Sequence, residues 1–125
     1  YGLIRDSGGV GMHRGGRGIR RRFEVIADGV NLHTTGDGHM TAPWGLGGGE
    51  NGTLSTKRVL RGNDTIELSA LRTVALERGG IIEVETSGGG GYGDPRERPR
   101  ERVRDDLADG AISAEAARSI YGAGA

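Results

Sequence analysis

Glu85-Thr86-Ser87-Gly88-Gly89-Gly90-Gly91-Tyr92-Gly93-Asp94-Pro95 separates two kinds of sequence. The residues before it read as strands joined by glycine turns, and the residues after it as two short helices. Four consecutive glycines suit neither a helix nor a packed strand, because glycine loses the most entropy on ordering and has no side chain to bury. Such a run belongs where backbone passes very close to something else, or where several residues need positive φ. Two roles are open for it: a tight structural crossover, or a nest of successive N–H groups around an anion. No Gly-Lys-Ser/Thr follows, so the nucleoside-triphosphate loop motif is absent.

On the N-terminal side, Arg5-Asp6-Ser7-Gly8-Gly9-Val10-Gly11-Met12-His13-Arg14-Gly15-Gly16-Arg17-Gly18 is a second glycine-rich segment carrying positive charge. Arginine forks fit carboxylates and phosphates, so Arg14 is a candidate anion or partner contact; a solvated turn is the plainer reading. Ile19–Ala27 alternates as a strand, with Arg20, Arg22 and Glu24 on one face and Arg21, Phe23 and Val25 on the other. Asp28-Gly29 predicts a hairpin that returns the chain through Val30–Thr34. Arg78-Gly79-Gly80 predicts a second hairpin, joining Arg72–Leu76 to Ile81–Thr86. Thr56–Leu60 is a short strand, Arg61–Asp64 a turn, and residues 65–70 a strand or a loop.

His33, Asp37 and His39 are metal-ligand types close together, which suits zinc or manganese only if a loop gathers them. A polar loop with Asp37 capping a turn is the alternative. Trp44, the one tryptophan, sits between Pro43 and Gly45 and is expected to fill a core or an interface.

Beyond the glycine run, residues 96–106 alternate in sign and read as a solvated helical face, with Val103 and Leu107 forming a narrow apolar stripe. Gly110 ends this helix. Ser113 caps a second helix over 114–121, with Glu115 at its positive end. The division expected is a glycine-rich β region over 1–95 and a two-helix tail over 96–125 packed on it or on a partner. The fold class is mainly β (α+β).

Composition limits the rest. Glycine makes up 26 of 125 residues, about three times the usual ~7%. The chain has one Phe and one Trp, and 34% apolar residues, a thin core. Net charge is zero, which does not favour a nucleic-acid partner. There is no cysteine, hence no disulfide or thiolate metal site. No apolar run approaches the ~20 residues of a membrane span. A cytoplasmic location is expected.

Four stretches in register are similar to the C-terminal region of the hydantoinase B/oxoprolinase family. They are Asp6–Gly11 with Arg14-Gly15-Gly16, Ala42–Gly49, Glu85–Pro95, and the tail through Asp106, Gly110, Ile112–Glu115, Ala117 and Tyr121-Gly122. The resemblance implies a component of an ATP-dependent complex that opens a cyclic amide through a phosphorylated intermediate. Related ketone carboxylases of the acetone and acetophenone type are the alternative, as is a purely structural interface module. It implies a larger B-type subunit and an ATPase (A-type) subunit as partners. ATP, Mg2+ and a divalent Mn or Zn would belong to those partners, with no cofactor bound by this chain itself. Substrate or phosphate contacts would come from Asp6, Ser7, Gly8, Gly9, Arg14, Gly89 and Gly90, and interface contacts from Trp44, Tyr92 and Tyr121.

Overall fold

The computed structural model describes residues 1–36, 39–68 and 72–122. Among them, seven strands precede two helices: β1 Gly2–Leu3, β2 Ile19–Glu24, β3 Val30–Thr34, β4 Thr56–Arg61, β5 Asp64–Glu67, β6 Arg72–Leu76, β7 Ile81–Glu85, α1 Arg100–Ala108 and α2 Ala114–Ser119. The mainly β class with two terminal helices is the one the sequence predicts.

The strands form a five-stranded antiparallel sheet in the order β1-β2-β7-β4-β5 and a separate pair, β3-β6. This corrects both long hairpins. β2 does not pair with β3, nor β6 with β7. Instead β2 runs against β7 with Arg20 opposite Glu85 and Phe23 opposite Ile82, and β3 runs against β6 with Leu32 opposite Val74. The two glycine turns are real, but each carries the chain from one sheet to the other. They sit together, since the Arg78 N–H donates to Asp28 Oδ1 at 3.1 Å. Residues 65–67 take the strand alternative, and β4 pairs with β5 as a hairpin with Arg61 opposite Asp64.

Changing sheets at these turns creates the first core. Val30, Leu32, Val74 and Leu76 of the pair meet Val59, Ile66 and Ile82 of the larger sheet, together with Val25 and Leu68. Val59 and Leu76 are fully enclosed, each contributing about 1.5–3 kcal/mol by burial. A second core lies under the helices, where Val103, Ile112, Ala116, Ala117 and Tyr121 pack with Val10 and Ile120. The Ser113 Oγ accepts from the Ala116 N–H, the cap expected for α2.

Between these cores the interior is made of backbone. Segment 86–93 runs between segments 7–18 and 43–53 and bonds to both. Gly9 N–H donates to the Gly89 carbonyl at 2.8 Å, Gly89 N–H to Gly16 at 2.9 Å, and Gly91 N–H to Glu50 at 2.9 Å. A Cβ on Gly88, Gly90 or Gly91 would overlap the carbonyl oxygens of Ser7, Trp44 and Val10 respectively. None of Gly88–Gly91 has positive φ. Close approach, not conformational freedom, is therefore why this run is glycine.

Candidate functional site

The glycine layer places the sequence-predicted site residues together, and most are engaged within the chain. Gly88 donates to Thr53 Oγ1, Gly89 to Gly16 and Gly91 to Glu50. These amides point in turn at the two flanking segments, Gly89 at 7–18 and Gly88 and Gly91 at 43–53, so they do not converge as an anion nest requires. The crossover reading is the one the geometry fits.

Ser7 is buried, and its hydroxyl donates to the Ile4 carbonyl while accepting from the Gly18 N–H, both at 2.8 Å. Asp6 is the one non-glycine residue with positive φ (57°) among the described residues. Its carboxylate accepts from the Ser113 N–H at 2.8 Å, and its own N–H donates to Ala111 at 3.1 Å. It thus ties the glycine-rich start of the chain to the start of α2. Gly8 and Gly15 are in backbone contact, as are Gly9 and Glu50.

Arg14 reaches Asp106 on α1 at 3.2 Å and also donates to the Gly15 carbonyl. Asp106 takes a second guanidinium, Arg98, at 2.9 Å. Arg98 further donates to the Met12 carbonyl at 2.9 Å. The side chains of Arg98 and Asp106 are only 8% and 10% exposed. This corrects the expectation of a solvated face over 96–106, which mixed charge alone had indicated; only a count of which charges face the glycine layer could have found the pair. Tyr121 completes the cluster. Among the described residues its hydroxyl is buried without a well-aligned hydrogen-bond partner, with the Gly11 backbone as a polar neighbour. Burial pushes its phenol above the ordinary value; the Asp106 charge adds to this, and Arg98 and Arg14 oppose it. Tyr121 is therefore packed inside this chain.

The opposite is true of Trp44 and Tyr92. Trp44 is 73% exposed, Leu46 59% and Tyr92 52%. Leu46 and His13 both bridge to Tyr92 in the layer, and the His13 and Tyr92 rings lie 6.1 Å apart. Trp44 therefore does not fill a core here; it is exposed, as are Leu46, Tyr92 and His13.

His33 bonds to Thr73 on β6, and His39 Nδ1 approaches the Ser55 carbonyl at 3.2 Å. Asp37 lies outside the described residues. Among the described residues no three His, Cys, Asp or Glu side chains gather as a metal site would need. Nor is any described helix long and apolar enough to cross a membrane.

Residues 1–95 match the family model described as hydantoinase B/oxoprolinase. The chain is 37% identical to the B-type subunit of a putative D-/L-hydantoinase from Pseudomonas sp. strain NS671, over 98% of its own length and 21% of that protein. It is similar in structure to an ATP-dependent caprolactamase from Pseudomonas jessenii, with TM-score 0.74 and 30% identity, covering 98% of this chain and 22% of that one. An acetone carboxylase shares the fold at TM-score 0.81 and 22% identity, over 97% of this chain and 20% of the other. The chain thus spans about a fifth of the length of these three proteins.

Proposed function

Because this chain belongs to the hydantoinase B/oxoprolinase family, we propose that it works as the C-terminal portion of a B-type component, as a small subunit or a segment of one. The assembly would open a cyclic amide at the expense of ATP. The observation that carries this reading is the match along almost the whole chain to a hydantoinase B-type subunit and a caprolactamase.

The chemistry explains why ATP is needed. An amide carbonyl is a poor electrophile, and phosphorylating its oxygen turns that oxygen into a leaving group. Charge developing on the transferred group must then be met by fixed positive groups and backbone amides. ATP, Mg2+ and a divalent metal would belong to the partner subunits.

This chain's own contribution is positional. Asp6 and Arg14 spend their polar atoms holding the glycine layer to the helical tail, and Ser7 ties Ile4 to Gly18 within the layer. Gly8, Gly9, Gly89 and Gly90 let segments stack at backbone distance. The layer in turn presents Trp44, Leu46 and Tyr92 to the larger B-type subunit. The caprolactamase and hydantoinase likenesses favour a cyclic amide over a ketone substrate, since the carboxylase likeness is one of fold alone.

The test is to isolate the native assembly, identify every polypeptide in it, and assay hydantoins, lactams and ketones with and without ATP. Lactam or hydantoin opening that requires ATP, in an assembly with an ATPase subunit and a B-type subunit, is the expected result. ATP-dependent ketone carboxylation would move the chain to the carboxylase branch. An assembly with no ATPase subunit and no ATP-dependent turnover would overturn the proposal.

A further inference from the structure

β2 lies second in its sheet, yet from Arg20 to Glu24 every residue is exposed. The reason is in the register. β1 pairs with β2 only through Gly2 opposite Arg20 and Leu3 opposite Ile19, whereas β7 pairs along Arg20–Glu24.

The hydrogen bonds show which groups remain open. Val25 N–H donates to Gly80, and the Ile19 carbonyl accepts from Thr86, so odd-numbered residues turn their backbone toward β7. Even-numbered residues face the other way, where the Gly18 carbonyl accepts from Ile4 N–H. The N–H and C=O groups of Arg22 and Glu24 therefore point to an edge with no strand opposite among the described residues. An open edge of this kind is a template for another strand.

The side chains around it also lack cover. On the face that β2 shares with the first core, Phe23 is 49% exposed, Leu3 57% and Tyr1 92%. The Arg21 guanidinium is stacked over the Tyr1 ring at 5.3 Å and near the Phe23 ring at 5.9 Å. Among the described ion pairs none involves Arg21, whereas Arg20 and Arg22, on the other face, are matched by Glu85 and Glu83.

We infer that this edge is completed by an extended strand of the B-type polypeptide lying outside these 125 residues. The strand continues the line of β1, antiparallel to β2, and bonds to Arg22 and Glu24 through its main chain. Two observations select this occupant: the edge is a direct continuation of β1, and about four-fifths of each matched protein lies beyond this stretch. Charge complementarity adds a carboxylate on the Tyr1 face, within reach of Arg21. The inference rests on the chain's working with a B-type component.

The experiment is amide hydrogen exchange on the complete assembly, resolved at Arg22 and Glu24. Exchange slowed on the order of 100-fold relative to an unstructured peptide is expected at both. A Glu24→Cys variant, the only thiol in this chain, would carry a photocrosslinker. The expected product joins position 24 to a peptide of the B-type polypeptide outside this stretch. Fast exchange at both amides in an assembly with ATP-dependent turnover would overturn the strand while leaving the proposed function standing. Crosslinking to a second copy of this chain would overturn it as well. Slow exchange with the expected crosslink, in an assembly without ATP-dependent turnover, would support the strand and reject the reaction.

Discussion

Asp106 is the residue on which the helical tail hangs. It neutralises Arg14 from the glycine layer and Arg98 from the connection before α1, and all three are largely buried. Removing one partner from such a group leaves uncompensated charge, at a cost of about 3–5 kcal/mol. Asp106→Ala is therefore expected to lower stability by that order in denaturant titration, with loss of helix signal before sheet signal. A second residue gives the protein an acid limb. The Arg22 hydrogen bond, at 2.6 Å, holds the Glu83 carboxyl below the usual range; burial opposes this, and the Arg58 and Arg20 charges add to it. A depressed carboxylate makes the unfolded chain the better proton acceptor. Its stabilisation is complete above the ordinary carboxylate range and is lost as pH falls through the folded value. Glu83→Gln should flatten the dependence of the denaturation midpoint on pH below about 5, while the wild type shows a falling limb. At this scale the sequence was partly legible. Alternation placed Arg20 and Arg22 on one face of β2, as found, but it had no means of telling that Arg98 and Asp106 are inside while their neighbours are not.

At the scale of elements, the existence of strands was legible and their pairing was not. A period of two says which face a side chain occupies, not which strand lies beside it. Asp28-Gly29 and Gly79-Gly80 have true turn chemistry, but the apolar faces of β3 and β6 gain more by facing the larger sheet than by lying within it. The glycine run was legible as an anomaly, and the structure supplies its cause. A paired substitution tests that cause. Gly88→Ala would set a methyl against the Ser7 carbonyl, whereas Gly16→Ala meets nothing within 4 Å. The first should cost about 3 kcal/mol or more, beyond ordinary overpacking because backbone must move. The second should leave the thermal midpoint within about 2 °C. Equal effects in a melting experiment would mean that the layer is looser than its hydrogen bonds indicate.

For the molecule as a whole, the distribution of apolar groups is the guide. A chain this short encloses two small cores and leaves Trp44, Leu46 and Tyr92 in solvent. Aromatic anchors on a rigid base are the usual centres of binding energy. If the proposed B-type partner is the one these residues meet, Trp44→Ala and Tyr92→Ala should each weaken its capture at least ~10-fold without shifting the melting midpoint of this chain, measured by titration and by calorimetry. The family could be read from three glycine motifs and the tail in order, because the glycine motifs record backbone contacts that a side chain would block. The division of labour among subunits could not, since it depends on surfaces whose partners lie elsewhere. The glycine layer also has a consequence in time. Its central segment, 86–93, is hydrogen-bonded to residues 9–16 and to 46–50, so each of those contacts waits until the ribosome has delivered its own partner among residues 89–93. The two glycine-rich arms both precede that segment, and their closing upon it awaits contacts distant in sequence, the circumstance that makes folding slow.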